Sequence, residues 1–119
     1  NFDSEERVWG KFYNLFTDDR LKLKELVVSP GKGMSFQRHF KRNEIWFVSK
    51  GACEVNFSES NPENSSLIKL DTEEVFHVKV GHWHQIINPY DVPCHIIEIQ
   101  YGEETNEDDI ERLSFYANN

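Results

Sequence analysis

The chain has few cysteines, few cations and no long apolar run. Only two of its 119 residues are cysteines, Cys53 and Cys94. Two cysteines exclude a disulfide framework, and both sit in apolar stretches, so they read as buried, reduced thiols of a cytoplasmic protein. The Asn-x-Ser patterns at Asn56 and Asn64 then have no secretory context to give them meaning. Thirteen basic side chains face 21 acidic ones, for a formal charge of −8. That balance argues against broad electrostatic binding to nucleic acid or an anionic membrane. No stretch approaches the roughly 20 apolar residues of a membrane-spanning helix, and no secretory h-region is present. The length fits one domain, residues 1–119, with one modest core.

Aromatic residues are plentiful, with nine Phe, four Tyr and three Trp, and with the many Val and Ile they favour β structure. Strands are expected at 9–16, 20–28, 34–40, 44–49, 52–57, 67–70, 75–80, 84–88 and 94–101, separated by turns such as "SPGKG" and "KG". Only "NEDDIERLSFY", 106–116, reads as helical, with Asn106 as N-cap and carboxylates in the first turn. Many short strands with one terminal helix suggest a β-sandwich or small barrel.

The stretch "SFQRHFKRNEIWFVSKG", 35–51, concentrates the chemistry. In a regular strand Gln37, His39 and Lys41 share one face while Arg38, Phe40 and Arg42 share the other. A polar triplet facing inward is costly unless it binds something, and facing outward it costs nothing, with Phe36 and Phe40 then in the core. Periodicity leaves both arrangements open. A second cluster, "VGHWHQIINP" at 80–89, places His82 and His84 two apart after a glycine turn. His39, Glu44 and His84 form a plausible set of nitrogen and oxygen ligands for a divalent metal. His77 and His95, inside apolar strands, read as structural. Trp9, Trp46 and Trp83 read as core or pocket wall.

Two spaced blocks carry a resemblance. Gly33, His39, Glu44 and Gly51 fit the pattern G-x(5)-H-x-H-x(3,4)-E-x(6)-G, and Gly81, His84 and Asn88 fit the later Gly–His–Asn block of the cupin superfamily. "RVWGKFY", "KLKELVVSPGKGMSFQRH", "NEIWFVSKG", "HQIINP", "IIEIQYG" and "EDDIERL" further resemble the cupin domain of type II phosphomannose isomerases. The likeness runs from about Arg7 to Tyr116. It implies an all-β, double-stranded β-helix (a jelly-roll barrel) with a short C-terminal helix and a central metal pocket. It also implies interconversion of mannose 6-phosphate and fructose 6-phosphate. The nucleotidyltransferase usually fused upstream in that family has no counterpart in this sequence.

The departures are specific. Lys41 stands where the pattern has a second His, Ile45 where the family has a His, Lys79 where it has Pro and Gln85 where it has Arg. Gln37 fills the ligand gap in one reading, giving Gln37, His39, Glu44 and His84 as metal ligands. The expected ion is zinc first, then Mn, Co, Fe or Ni. In the other reading the pocket is empty. Lys41, Arg42 and His82 are the expected catalytic groups, and Arg38 and Lys79 add positive charge for a sugar phosphate. Two alternatives stand beside the isomerase: a non-catalytic cupin binding a sugar or sugar nucleotide, and a cupin with another reaction, an epimerase or dioxygenase. The expected partners are a small sugar ligand and a second copy of the chain, with the segment before Trp9 as the piece exchanged.

Overall fold

The computed structural model describes residues 3–119 and is nearly all β. Eleven strands run in order: β1 (Ser4–Arg7), β2 (Gly10–Thr17), β3 (Leu21–Val28), β4 (Phe36–Arg38), β5 (Arg42–Lys50), β6 (Cys53–Ser58), β7 (Ser66–Leu70), β8 (Val75–Val78), β9 (Trp83–Ile87), β10 (Cys94–Gly102) and β11 (Glu111–Ser114). A single 3-10 turn, Pro62–Asn64, interrupts them and is capped by the Asn61 side chain. The strands pair antiparallel into two sheets, ordered β1-β2-β3-β10-β5-β8 and β11-β4-β9-β6-β7. The two sheets face each other across one core, which is the expected double-stranded β-helix.

The core follows from period-2 patterning. Val28, Trp46, Val48, Cys53, Val55, Cys94 and Ile96 are fully buried and pack in one cluster. Each such aliphatic side chain contributes about 1.5–3 kcal/mol by leaving water. The inward faces do not stay apolar along their length. On β5 the buried residues are Arg42, Glu44, Trp46 and Val48, and on β10 they are Cys94, Ile96, Glu98 and Gln100. On β3, Val28 and Leu26 continue into buried Lys24. The barrel therefore has an apolar end and a polar end.

Two tight turns set this arrangement. Gly51, at φ +74°, turns β5 into β6, and a Cβ there would meet the Pro93 carbonyl oxygen at 2.5 Å. Gly81, at φ +82°, sits in the left-handed region that favours glycine. Its N–H donates to the His39 carbonyl at 2.7 Å, tying the β8–β9 turn to the end of β4. Asn88 lies at the other end of β9 as a structural lock, its amide donating to the carbonyls of Val28 and Val92.

One expectation is corrected here. Residues 106–116 do not form a helix. They form a turn-rich loop followed by β11, which pairs with β4. The carboxylates that mimic a helix start are instead spent on tertiary partners, Glu107 on lysines and Asp109 on the backbone amides of Phe40 and Lys41. The segment before Trp9 supplies β1, which pairs with β2 of its own chain. Among the described residues no helix is long and apolar enough to cross a membrane.

Candidate metal centre and ligand cavity

Strand β4 ends at Arg38, so the alternation of 35–41 breaks at His39. Asp109 holds the break. Its two carboxylate oxygens accept the N–H groups of Phe40 at 2.9 Å and Lys41 at 2.8 Å. The bend sends His39 inward and Lys41 outward. Glu44 arrives from β5 and His84 from β9. All three are buried, at 2%, 1% and 2% exposure for His39, Glu44 and His84, and their ligand atoms lie within 4.8 Å of one another.

Both imidazoles have a defined tautomer. Nδ1 of His39 lies 2.7 Å from the Asp109 carbonyl oxygen, and Nδ1 of His84 lies 2.9 Å from that of His82. A carbonyl only accepts, so each Nδ1 carries a hydrogen, and in the neutral ring each Nε2 keeps its lone pair. Nε2 of His39 is 3.2 Å from Glu44 Oε2, and Nε2 of His84 is 4.0 Å from Glu44 Oε1. Ligands about 2.1 Å from a tetrahedral ion lie about 3.4 Å apart, so the two spacings bracket that value. His84 Nε2 is buried without any hydrogen-bond partner. A buried lone pair left unmet is costly, and a divalent cation would satisfy it. Orienting a ligand ring through its second nitrogen is the usual support of a metal site. The donor set therefore fits the implied metal.

Arg42 completes the buried cluster. Its Nε and Nη2 donate to Glu44 Oε2 at 3.0 and 2.9 Å, and Nη2 also reaches His39 Nε2 at 3.1 Å. The Trp46 indole N–H donates to Glu44 Oε1 at 2.9 Å. Burial opposes ionisation of Glu44, yet the Arg42 charge and the two histidines hold its carboxyl well below the usual range. Burial pushes His84 down to about 4, with His39 and Arg42 adding to the effect against Glu44. Arg42 is raised, because the charges of Glu44, Glu98 and Glu107 outweigh its burial.

Beside this cluster lies a cavity of about 130 Å³, lined among others by Trp9, Lys24, Gln37, Arg42, Glu98 and Gln100. The Glu98 carboxylate accepts the Gln100 amide at 2.7 Å. Burial first, then the nearby Glu44 charge, push Glu98 up to about 8. A larger open groove, lined by Thr17, Asp18, Asp19 and residues 104–107, is separate from the histidines.

The structure brings His39, Glu44, His84 and Arg42 together. Gln37 is buried on β4 opposite His84 and shares the cavity wall, but its Oε1 accepts from Ser35 at 3.4 Å. Lys41 and His82, expected as catalytic groups, do not join the cluster. Lys41 is half exposed, with Nζ 3.6 Å from Glu104. His82 belongs to the β8–β9 turn, its Nδ1 accepting the Lys79 N–H at 3.2 Å and its ring set edge-on to Phe57. Arg38 pairs with Glu111 on the outside. Ile45 alternates with Glu44 and Trp46 on β5 and faces away from the cluster, so the His missing there removes no ligand. Neither of the two face assignments left open holds throughout: Gln37 and His39 are buried but Lys41 is not, and Phe36, against Trp83, and Arg42 are buried while Phe40 is exposed.

Sequence reading missed Lys24, Glu98, Gln100 and Asp109. The first three had a signal. Counting back by two from Val28 and Leu26 reaches Lys24, and counting on by two from Cys94 and Ile96 reaches Glu98 and Gln100. Asp109 had none, because its role depends on a contact 68–70 residues away.

A two-sheet barrel with two histidines and a glutamate converging inside defines a cupin, and the Cnp3 cupin domain of Schizosaccharomyces pombe superposes with a TM-score of 0.69 over 77% of this chain and 64% of its own, at 16% identity. CapF, the capsular polysaccharide assembling protein of Staphylococcus aureus, superposes with a TM-score of 0.80 over 96% of this chain and 34% of its own, at 21% identity. Oxalate decarboxylase of Bacillus subtilis gives 0.81 over 95% and 30%, at 13% identity. These likenesses establish the fold alone. The particular family follows from sequence: residues 2–115 match the family model described as mannose-6-phosphate isomerase C-terminal, and the chain belongs to that family. A mannose-1-phosphate guanylyltransferase 2 of Escherichia coli O157:H7 is 34% identical over 107 residues, covering 89% of this chain and 21% of the relative. A putative mannose-1-phosphate guanylyltransferase of Vibrio cholerae is 37% identical over 108 residues, covering 90% and 22%. The chain thus spans about a fifth of the length of the curated relatives it matches.

Proposed function

We propose that the domain interconverts mannose 6-phosphate and fructose 6-phosphate, with a divalent metal, zinc first, held by His39, Glu44 and His84. The observation that carries this reading is the pair of Nδ1-anchored imidazoles, one with an unpartnered Nε2, beside a cavity with cationic walls. Gln37 is the candidate fourth ligand, since it shares the cavity wall. A bound metal supplies Lewis-acid stabilisation of charge on the sugar oxygens.

The remaining roles fall to the chain's own groups. Arg42, fixed through Nε and Nη2 on Glu44, presents positive charge where an enediolate would carry its negative charge. Two carboxyl groups outside the ligand set line the cavity, Glu98 and Glu107, and Glu98 is the buried one, next to Gln100. It is placed to carry a proton between two adjacent carbons. Trp9 offers an apolar wall for a sugar ring.

One observation favours a second reading, a binding cupin without turnover. The Arg42 guanidinium already contacts both His39 and Glu44, so it neutralises the carboxylate without a metal, and Lys41 leaves the family's ligand set one His short. Elemental analysis of purified protein, followed by an assay of fructose 6-phosphate formation with Zn, Mn or Co added, separates the two. Metal-dependent turnover lost in Glu44→Gln and reduced in Glu98→Gln at unchanged metal content supports the isomerase. Sugar-phosphate binding with full metal and no turnover selects the second reading.

A further inference from the structure

Glu107 lies on the 103–110 loop between β10 and β11, and its carboxylate is surrounded by cations. Oε1 is 3.2 Å from Lys22 Nζ and 3.0 Å from Lys24 Nζ, and Oε2 is 3.9 Å from Arg42 Nη1. The burial of the partners is unequal. Side chains of Lys24 and Arg42 are only 9% and 7% exposed, whereas that of Glu107 is 58% exposed. The cations are fixed in the barrel wall and the anion is the part in contact with solvent.

Arg42 is further constrained. Glu44 and His39 use its Nε and Nη2, which leaves Nη1 directed at the Glu107 carboxylate with only a long contact. Lys24 is held from behind, its Nζ 4.5 Å above the Phe12 ring. Glu107 also stands at a boundary. It lines both the inner cavity and an outer cleft of about 460 Å³, and Arg7, Lys24 and Arg112 line both as well. Within a chain of formal charge −8, three cations facing one exposed carboxylate, with Arg7 and Arg112 in the adjoining walls, are a local concentration of positive charge.

We propose that Lys22, Lys24 and Arg42 Nη1 form a binding subsite for a phosphate group, and that the Glu107 carboxylate occupies it as a built-in competitor that an incoming phosphate displaces. The assignment rests on the reading of the cavity as the ligand site, and names the phosphate contact within it. It replaces Lys41, Arg38 and Lys79 in that role, since Lys41 and Arg38 pair with carboxylates outside the cavity and Lys79 does not line it. A phosphate oxygen in place of the carboxylate keeps the charge-assisted bonds to both lysines and can take a closer bond from Nη1.

The test measures binding without turnover. Inorganic phosphate is titrated into the intact chain in EDTA, at low and at 0.3 M salt, by calorimetry. Glu107→Gln removes the competing charge and is expected to tighten phosphate by about fivefold or more. Lys24→Met is expected to weaken it at least about tenfold. Equal or weaker binding in Glu107→Gln, with circular dichroism unchanged, overturns the proposal and makes Glu107 a structural ion pair. Glu107→Ala checks this independently of the hydrogen-bonding amide, and must also tighten binding. Parallel titrations with mannose 6-phosphate and with a nucleoside diphosphate sugar identify the source of the phosphate, and tightening by Glu107→Gln in either arm supports the subsite. If phosphate binding behaves as stated and no isomerase activity is found, the subsite stands and only the reaction fails. If the isomerase is active and Glu107→Gln binds no tighter, only the subsite fails.

Discussion

The Asp109 carbonyl oxygen lies 2.7 Å from Nδ1 of His39, while the Asp109 carboxylate clamps the next two backbone amides. One residue of the C-terminal segment thus fixes both the direction of a candidate ligand ring and the bend that carries it. Asp109→Ala removes two charge-assisted acceptors, each worth about 1.5–3 kcal/mol when the donors are left without partners. The amides of Phe40 and Lys41 are near the surface, so solvent recovers part of this, and a loss of about 2 kcal/mol is expected in chemical denaturation. The backbone carbonyl that orients His39 survives the substitution, so zinc affinity should fall through the loosened bend alone, by about tenfold at most. A normal zinc titration in Asp109→Ala would show that His39 is positioned by its strand alone.

Glu44 and His84 should separate cleanly by metal-free stability. Glu44→Gln leaves Arg42 charged and buried without its counter-ion, and a loss of about 3 kcal/mol is expected in EDTA. His84→Leu fills a similar volume and removes the unpartnered Nε2. Its metal-free stability should stay within about 1 kcal/mol of the parent. In the parent, metal at 100 times its Kd adds about 2.7 kcal/mol and raises Tm by about 10 °C. Both variants should lose that rise. A rise retained in His84→Leu would remove His84 from the ligand set.

Most of this centre was legible in the order of residues, and the reasons differ by residue. His39, Glu44, Gly51, Gly81 and His84 sit at spacings that local geometry enforces: strand, tight turn, strand. Period-2 counting groups Lys41 with Gln37 and His39 only in a regular strand, and the strand stops at Arg38. The terminal helix was misread for a related reason. Asn106 and the carboxylates after it are good helix-start residues in isolation, but Lys22, Lys24 and the amides at 40 and 41 offer them stronger partners. Tertiary contacts of that span leave no mark on a local window.

Lys41 supplies a test of that placement. Its ammonium is half exposed and 3.6 Å from Glu104, an ion pair of the surface kind worth about 0–1 kcal/mol. Lys41→Ala should change stability by less than about 0.5 kcal/mol and leave metal content and turnover as in the parent. Restoring the family residue by Lys41→His should also fail to add a metal ligand, because the clamp at Asp109 fixes the bend. Tighter zinc binding by Lys41→His, measured by competition with a chromophoric chelator, would mean that this side chain reaches the cavity after all.

The metal-free protein should be most stable in mildly acid solution, for reasons that pull in opposite directions. His84, at about 4 when folded against an ordinary value of 6.5, is buried neutral. The unfolded chain takes up its proton first, so stability falls as pH drops from about 6.5 towards 4. Glu98, at about 8 when folded against 4.5, is buried protonated. The unfolded chain releases its proton first, so stability falls as pH rises from about 4.5 towards 8. Between about pH 4.5 and 6.5 the two slopes cancel. Above that window only Glu98 acts, and 1.5 pH units at 1.36 kcal/mol each give a loss of about 2 kcal/mol by pH 8. Below it, His84 and then protonation of Glu44, whose carboxyl is held low, destabilise together. Denaturant unfolding in EDTA at pH 5.5 and 8 measures the alkaline limb. Glu98→Gln, which cannot ionise, should flatten it and extend the acid limb up to about pH 6.5, where the His84 slope is then no longer cancelled. A limb that survives in Glu98→Gln would place the responsible proton on another group.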